Sequence, residues 1–426
     1  DYNAESGQVF TPGKVMAHYH RITPTVTHTF EGLFFQSRTQ TVNGLRKAVN
    51  QHVAAHFSDN PNPDYFAALA FTTAYMNLRT NDSGKSKYWV VPSVEYGNTQ
   101  YGRDAFWIST MLPPQYAAEC LKSELHTVNP FAEYPLFAII WAHRARQSGM
   151  EVDKAKVQDY VNLIEKRARN DYYYSYDAST GRKDFQYWGD VMAFETDDVI
   201  TYNQGLFALA LTAARDMGIA IRSSPEKAAR QYQAMFNDKL GFFPISLKKN
   251  TVLCPDPLAP DVISQLYFGR KLLESSTVHR HFDRMVQYSK TKYGFKVVSA
   301  ADGSYLPPGM YDIPGYVSQV NREKMPDGYF FRGGSYFLYD NLFLIDAYLH
   351  GAKGAEEQLR WRMALDFGIG GTTYEHLNTQ TGEPGKPNMG WNVAVYAFWK
   401  KLVDEKKRTT QFLNTLTALP MRVVDF

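Results

Sequence analysis

Cysteine is scarce: Cys120 and Cys254 are the only two in 426 residues. That is too few for a disulfide framework or an all-cysteine zinc site. Cys120 falls in a helical pattern and is expected to be buried, so two free thiols are the expectation, with a single bridge as the alternative. Long apolar runs are also lacking. No stretch of about 18 apolar residues occurs, so no spanning helix is expected. Charge of one sign is missing too: the net charge is +3, and the run from Lys400-Lys401 to Lys406-Lys407-Arg408 is broken by Asp404 and Glu405. Without a basic stripe, a nucleic-acid partner has little electrostatic support. His52 and His56 are spaced one helical turn apart, but the glutamate of a zinc-protease helix is absent between them, and no metal is expected there. The chain begins at Asp1 with no charged-then-apolar leader, so the expectation is a mature exported form, periplasmic or secreted. Asn81-Asp82-Ser83 is a glycosylation sequon, meaningful only in a eukaryotic secretory pathway.

Aromatics, by contrast, make up 15% of the chain. Most must be core, but sugar C–H faces also stack on aromatic rings. At 426 residues the chain exceeds the size at which one core usually stops growing, unless it closes into a ring. Residues 1 to about 45 are rich in Thr, His and Phe, and Thr25-Val26-Thr27-His28-Thr29-Phe30 alternates as an extended strap would. Helical periodicity follows and predicts helices over Val42–His56, Pro63–Leu78, Arg103–Met111, Pro114–Glu124, Glu133–Gln147, Lys154–Ala168, Asp198–Met217, Pro225–Met235, Pro260–Leu273, Phe282–Ser289, Tyr336–Leu349, Ala355–Gly368 and Trp391–Asp404. Four long loops separate them: Gly84–Gly102, Asn170–Asp197, Gly241–Pro257 and Lys296–Gly334. Loops of that length inside a compact domain usually carry function. Sequential helical hairpins with long loops and no strand series predict an all-α fold, an (α/α)6 toroid over residues 61–426 with residues 1–60 as an extended lead-in or the remnant of an accessory β-domain.

Four segments carry candidate chemistry. In Tyr101-Gly102-Arg103-Asp104-Ala105-Phe106-Trp107 an Arg and an Asp open a helix. The Asp suits a helix N-terminus electrostatically, while Arg103, Asp104 and Trp107 could also grip sugar hydroxyls and a ring face. Gln186-Tyr187-Trp188-Gly189-Asp190 runs into Glu195-Thr196-Asp197-Asp198. Asp197 or Asp198 is the natural cap for the helix that follows. Asp190 has no such duty, and beside Trp188 it would sit in a partly apolar setting that suits a general acid. In Tyr329-Phe330-Phe331-Arg332-Gly333-Gly334-Ser335-Tyr336, two glycines permit close backbone approach and Arg332 supplies donors. Finally, Tyr374-Glu375-His376-Leu377-Asn378-Thr379-Gln380-Thr381-Gly382 puts a carboxylate at the head of a polar loop, followed by Gly390-Trp391-Asn392. Loops on rigid scaffolds are where catalytic groups concentrate. His376 could contact a sugar hydroxyl there, and Trp391 could pack in the core beneath Glu375 or stack on the sugar.

The last segment resembles the catalytic-base loop of the six-hairpin glycosidases, Glu-x-Tyr/Leu-Asn-x-x-Thr-Gly followed by a Trp-containing helix. The other three, in the same order, are similar to the Arg-Asp, Trp-x-Asp and Arg-Gly segments of (α/α)6 glucosidases related to trehalase, glucosidase I and glucoamylase. The resemblance covers roughly residues 85–405. It implies that Arg103 and Asp104 bind the sugar in the −1 subsite, that Asp190 is the acid and that Glu375 is the base, with no cofactor and no metal. Phe331 and Tyr336 replace tryptophans of the family pattern, and Trp-Gly-Asp is displaced by one residue from some versions, so Glu195 and Asp197 stay open as the acid.

The expectation is therefore an inverting, exo-acting glycoside hydrolase acting on an α-linked, gluco-type sugar of an oligosaccharide or glycoside, the α-gluco preference being implied by the resemblance alone. The alternatives are a polysaccharide lyase on a similar toroid, using His376 and the Tyr172–Tyr176 cluster, and a non-catalytic glycan-binding protein. His279-Arg280-His281 reads as exposed surface, and Cys254-Pro255-Asp256-Pro257 as a stiff loop at the pocket rim.

Overall fold

The computed structural model describes residues 2–3, 8–9, 70, 73–74, 76–80, 86–93, 96, 100–127, 131–179, 181, 183, 185–311, 326–370 and 373–398. The helix expected over Val42–His56, the strap at Thr25–Phe30, the His52/His56 pair, the sequon, most of the 1–60 lead-in and the end of the Trp391–Asp404 helix lie outside them.

Ten helices occur in the described residues: α1 (Gly102–Ser109), α2 (Pro114–Leu125), α3 (Tyr134–Gln147), α4 (Lys154–Arg167), α5 (Thr201–Asp216), α6 (Pro225–Ala234), α7 (Ala259–Phe268), α8 (Ser275–Arg284), α9 (Phe337–Leu349) and α10 (Ala355–Gly370). A tight turn at Gly390–Asn392 then opens a further helical stretch through residue 398. Among the described residues, strands are two or three residues long and form only two-stranded ladders, such as Val252–Leu253 with Ser299–Ala300.

The helices alternate in character. α3, α5 and α9 are apolar nearly all round and bury most of their length, as a helix walled in by neighbours must be. α4 buries only one face, through Val157, Val161, Ile164 and Glu165, and α6 buries Pro225, Ala228 and Tyr232. The packing follows this division. α1 packs on α3, α3 on α5, α5 on α7 and α7 on α9, and the Gly390–Asn392 turn touches both α9 and α1. α4, α6, α8 and α10 lie against α3, α5, α9 and α9 respectively.

Local chemistry explains the element ends. The Asp153 carboxylate accepts from the Lys156 N–H at 3.1 Å, and Ser224 Oγ accepts from the Lys227 N–H at 3.2 Å, each satisfying an orphan donor of a first turn. α7 stops at Phe268, short of the expected Leu273, because Gly269 turns left-handed (φ 66°). α5 starts at Thr201, not Asp198. The Asp198 carboxylate does not cap it, but accepts from Ser246 Oγ (2.6 Å) and the Lys248 N–H (3.0 Å) and so ties down the loop opposite. The expected Phe282–Ser289 helix begins earlier, at Ser275, and finishes in a wide turn over Met285–Ser289. His281 is consequently not surface: it is fully buried, with Nδ1 accepting from the Phe243 N–H at 3.1 Å. Burial holds its imidazole down at about 3, so it stays neutral. Both cysteines are free and buried.

Candidate active site

The N-terminal ends of α1 and α9, the residues just before α3 and three of the four long loops meet in one place. Between them lies an open cavity. Arg103, Asp104, Trp188, Asp190, Glu375 and Trp391 all line it, with Tyr96, Tyr101, Phe330, Phe331 and Tyr336 among the aromatic walls.

Arg103 crosses the floor. Its guanidinium donates to Glu133 Oε1 (2.9 Å) and Asp104 Oδ2 (3.1 Å) and lies 5.1 Å over the Trp391 ring. Burial pushes the Asp104 carboxyl up, to about 6, although Arg103 opposes the rise. The second oxygen of Asp104, Oδ1, is buried and has no protein partner. A buried acceptor left unpaired is costly, and a sugar hydroxyl at the cavity floor would satisfy it. Gly102 is needed where it stands, since a Cβ there would lie 1.7 Å from the Tyr134 ring.

Trp188 stacks on Tyr339 with centroids 3.9 Å apart, and its Nε1–H donates to Asp256 Oδ2 at 3.2 Å. The Tyr187 hydroxyl donates to the same oxygen at 2.7 Å. Asp256 is fully buried, so the Cys254–Pro257 segment supports the cavity from beneath and does not form its rim. At Gly189 a Cβ would come within 2.0 Å of the Phe331 ring. Glycine there lets the chain turn beneath the ring and deliver Asp190, half-buried, to the cavity. The rival acids lie elsewhere: Glu195 and Asp197 are exposed, and Asp197 pairs with Lys248.

The Glu375 loop is built by its own sequence. Asn378 Oδ1 accepts from the N–H groups of Gln380 (2.8 Å) and Thr381 (3.1 Å), and Gly382 takes φ 80°. The Asn-x-x-Thr-Gly pattern therefore encodes a reverse turn. Leu377 and Ser335 exchange backbone hydrogen bonds of 2.8 and 2.9 Å. Asn392 Nδ2 donates to the Tyr374 carbonyl at 2.8 Å. Glu375 itself is nearly buried, and Oε1 accepts from the Tyr96 hydroxyl at 2.7 Å. Burial would push this carboxyl up, but the His376 imidazole, the Tyr96 hydroxyl and Lys386 outweigh it and hold the carboxyl below its ordinary value. An acid so held is ionised at neutral pH and able to take a proton.

Three expected contacts stand behind the cavity and do not line it. Trp107 is wholly buried in the core, against Phe106 and Phe137. His376 is buried within rings of Tyr329, Phe330 and Tyr336, its Nδ1 3.8 Å from Glu375 Oε2, too long for a hydrogen bond. Arg332 pairs with Asp327 while its neighbours Phe330 and Phe331 form the wall. Sequence reasoning missed Tyr96, Glu133 and Asp256. Only Asp256, boxed between two prolines, left any local signal.

The helix-rich fold is similar to those of solved glycoside-hydrolase structures, in keeping with the six-hairpin class expected from sequence. Among solved structures, the chain is similar to a GH63 mannosylglycerate hydrolase from Thermus thermophilus in complex with glucose, with TM-score 0.51 and 10% identity over 79% of this chain and 100% of that one. The same hydrolase in complex with Tris matches with TM-score 0.51 and 11% identity over the same shares. A sialidase matches with TM-score 0.50 and 11% identity, over 86% of this chain and 38% of that one. No protein-family model and no curated protein matches the sequence.

Proposed function

We propose that the protein is an inverting, exo-acting glycoside hydrolase that releases an α-linked, gluco-type sugar from an oligosaccharide or glycoside. The observation that carries this reading is the meeting of Asp190 and Glu375, from loops far apart in the chain, on one cavity with Arg103 and Asp104. The packing circuit α1–α3–α5–α7–α9, closed back to α1 by the Gly390–Asn392 turn, supports an (α/α)6 toroid, with those helices in its inner ring and residues 61–426 as the catalytic body. The fold shared with a GH63 hydrolase that binds glucose supports the hydrolase class. The exo and α-gluco parts rest on the motif resemblance.

In this mechanism Asp190 protonates the glycosidic oxygen as the bond breaks, and Glu375 takes a proton from the water attacking the opposite face. An inverting pair stands roughly 6.5–9.5 Å apart to admit that water. Two carboxylates suffice for the proton transfers. The unpaired Asp104 Oδ1 and the Arg103 guanidinium hold sugar hydroxyls, and Trp188 and Trp391 supply ring faces. Trp107, His376 and Arg332 support these groups from behind.

The test is to incubate wild type and Glu375→Gln with α-linked disaccharides and aryl glycosides, following product anomers by NMR. Wild type is expected to yield the inverted anomer, and the variant to turn over about 10²–10⁴-fold more slowly. A variant as active as wild type would remove Glu375 from the mechanism. An ultraviolet-absorbing unsaturated uronate among the products would instead mark a lyase.

A further inference from the structure

Deeper in the fold, between α7 and α9, a second group of ionisable side chains is wholly enclosed. Asp261 and Asp346 are 0% exposed, and the His350 side chain is 0% exposed as well. One ligand-capable atom from each of the three lies within 4.8 Å of the other two. His350 Nε2 is 2.7 Å from Asp261 Oδ2 and 3.8 Å from Asp346 Oδ1. Among the described residues neither carboxylate forms an ion pair with Lys or Arg, Lys271 acting on Asp346 only through space, and Asp346 Oδ2 is buried with no hydrogen-bond partner. Two enclosed carboxylates facing one imidazole carry a negative charge that the interior does not tolerate uncompensated.

We propose that Asp261, Asp346 and His350 form a structural site for a divalent transition-metal ion of the Zn²⁺ type, clamping α7 to α9. The donor set, one imidazole and two carboxylates, suits such an ion. The spacing is close to what one requires. Ligand atoms about 2.0–2.1 Å from a tetrahedral zinc stand about 3.3 Å from each other. The imidazole nitrogen lies nearer to one carboxylate and farther from the other by similar amounts, so a small shift of the ring toward Asp346 equalises both distances. Ser275 Oγ lies 3.0 Å from His350 Nδ1, the far-nitrogen contact that orients a metal-binding imidazole. Gln265 Nε2 donates to Asp261 Oδ2 (3.1 Å) and Asp346 Oδ1 (2.8 Å). Turning its amide over would present Oε1 as a fourth ligand.

This site is separate from the cavity residues and its test does not depend on activity. Full-length protein would be dialysed against a chelator, assayed for residual metal, and titrated with ZnCl₂ by calorimetry alongside thermal melts. One Zn²⁺ per chain and a Tm that climbs with Zn²⁺ concentration are expected, with both effects lost in Asp346→Asn. Should that variant not fold, Co²⁺ in wild type provides the second readout, as the visible absorption of a tetrahedral N/O site. Binding of Zn²⁺ by Asp346→Asn as tightly as by wild type would overturn the assignment. So would a wild-type Tm indifferent to both chelator and Zn²⁺.

Discussion

Glu375 sits under opposed influences: enclosure disfavours its charge, and hydrogen-bond donors and cations restore it. Tyr96 is the donor in direct contact, at 2.7 Å, and Lys386 lies 3.5 Å over the Tyr96 ring. A hydrogen bond to a charged group contributes about 1.5–3 kcal/mol, and about 1.4 kcal/mol corresponds to one pKa unit. Tyr96→Phe should therefore raise the Glu375 pKa. If Glu375 is the base, it works in its ionised form. The acid limb of the kcat/KM profile then moves to higher pH, while the plateau changes less. A limb that stays in place would separate Tyr96 from the ionisation that governs activity. The sequence offered no hint of Tyr96, because its contact with Glu375 spans most of the chain. Nor did it assign a role to Gly189, where the Phe331 ring makes glycine obligatory.

At the scale of elements, the loop carrying Glu375 depends on a buried ionic network in α9 and α10. Arg362 donates to Asp340 Oδ2 (2.7 Å), Asp366 Oδ1 (2.6 Å) and Ser335 Oγ (3.1 Å), and Asp366 Oδ2 in turn accepts from the Tyr374 N–H at 3.0 Å. All four side chains of this network are 0% exposed. Removing one partner of a buried pair leaves the others uncompensated and costs about 3–5 kcal/mol. Arg362→Met is expected to lower stability by that order in denaturant unfolding, whereas losing a surface pair such as Arg360–Glu356 should cost less than about 1 kcal/mol. An Arg362→Met midpoint equal to wild type would show that the carboxylates neutralise themselves by taking up protons. Helix positions in this region were legible because apolar periodicity is local: α9 and α10 lie within two residues of their expected bounds. The network was not legible, since Arg362 and Asp366 read equally well as a solvated pair one turn apart. The same ambiguity concealed His281, whose charged neighbours suggested surface, and misdirected Asp198, whose carboxylate serves a loop and not its helix.

For the whole molecule, enclosed carboxyls shape the response to pH. Burial pushes Asp104 to about 6, Glu124 to about 7 and Asp256 to about 6, against ordinary values of 3.8, 4.5 and 3.8. Between pH 4 and 7 the folded chain therefore holds protons at these sites that the unfolded chain has released. Their contribution to stability is complete below about pH 4 and is lost as pH rises through 6 to 7. Tm should accordingly be higher near pH 5 than near pH 8. Asp256→Asn keeps an acceptor for Tyr187 and Trp188 but cannot ionise, so relative to wild type it should gain up to roughly 3 kcal/mol across that interval. Parallel wild-type and variant Tm curves from pH 4 to 8 would contradict this account.

The sequence by itself determined the helical hairpins, the long loops between them, the absence of any apolar run long enough to span a membrane and the turn that carries Glu375. Each of these depends on residues within a few positions of one another, where periodicity, capping and glycine conformation act directly. Tertiary structure alone decided that Asp190, not Glu195 or Asp197, borders the cavity, that Trp107, His376 and Arg332 stand behind it, and that Tyr96, Glu133 and Asp256 support its groups. Burial and proton affinity belong to the set of neighbours around an atom, and that set exists only once distant segments have packed together.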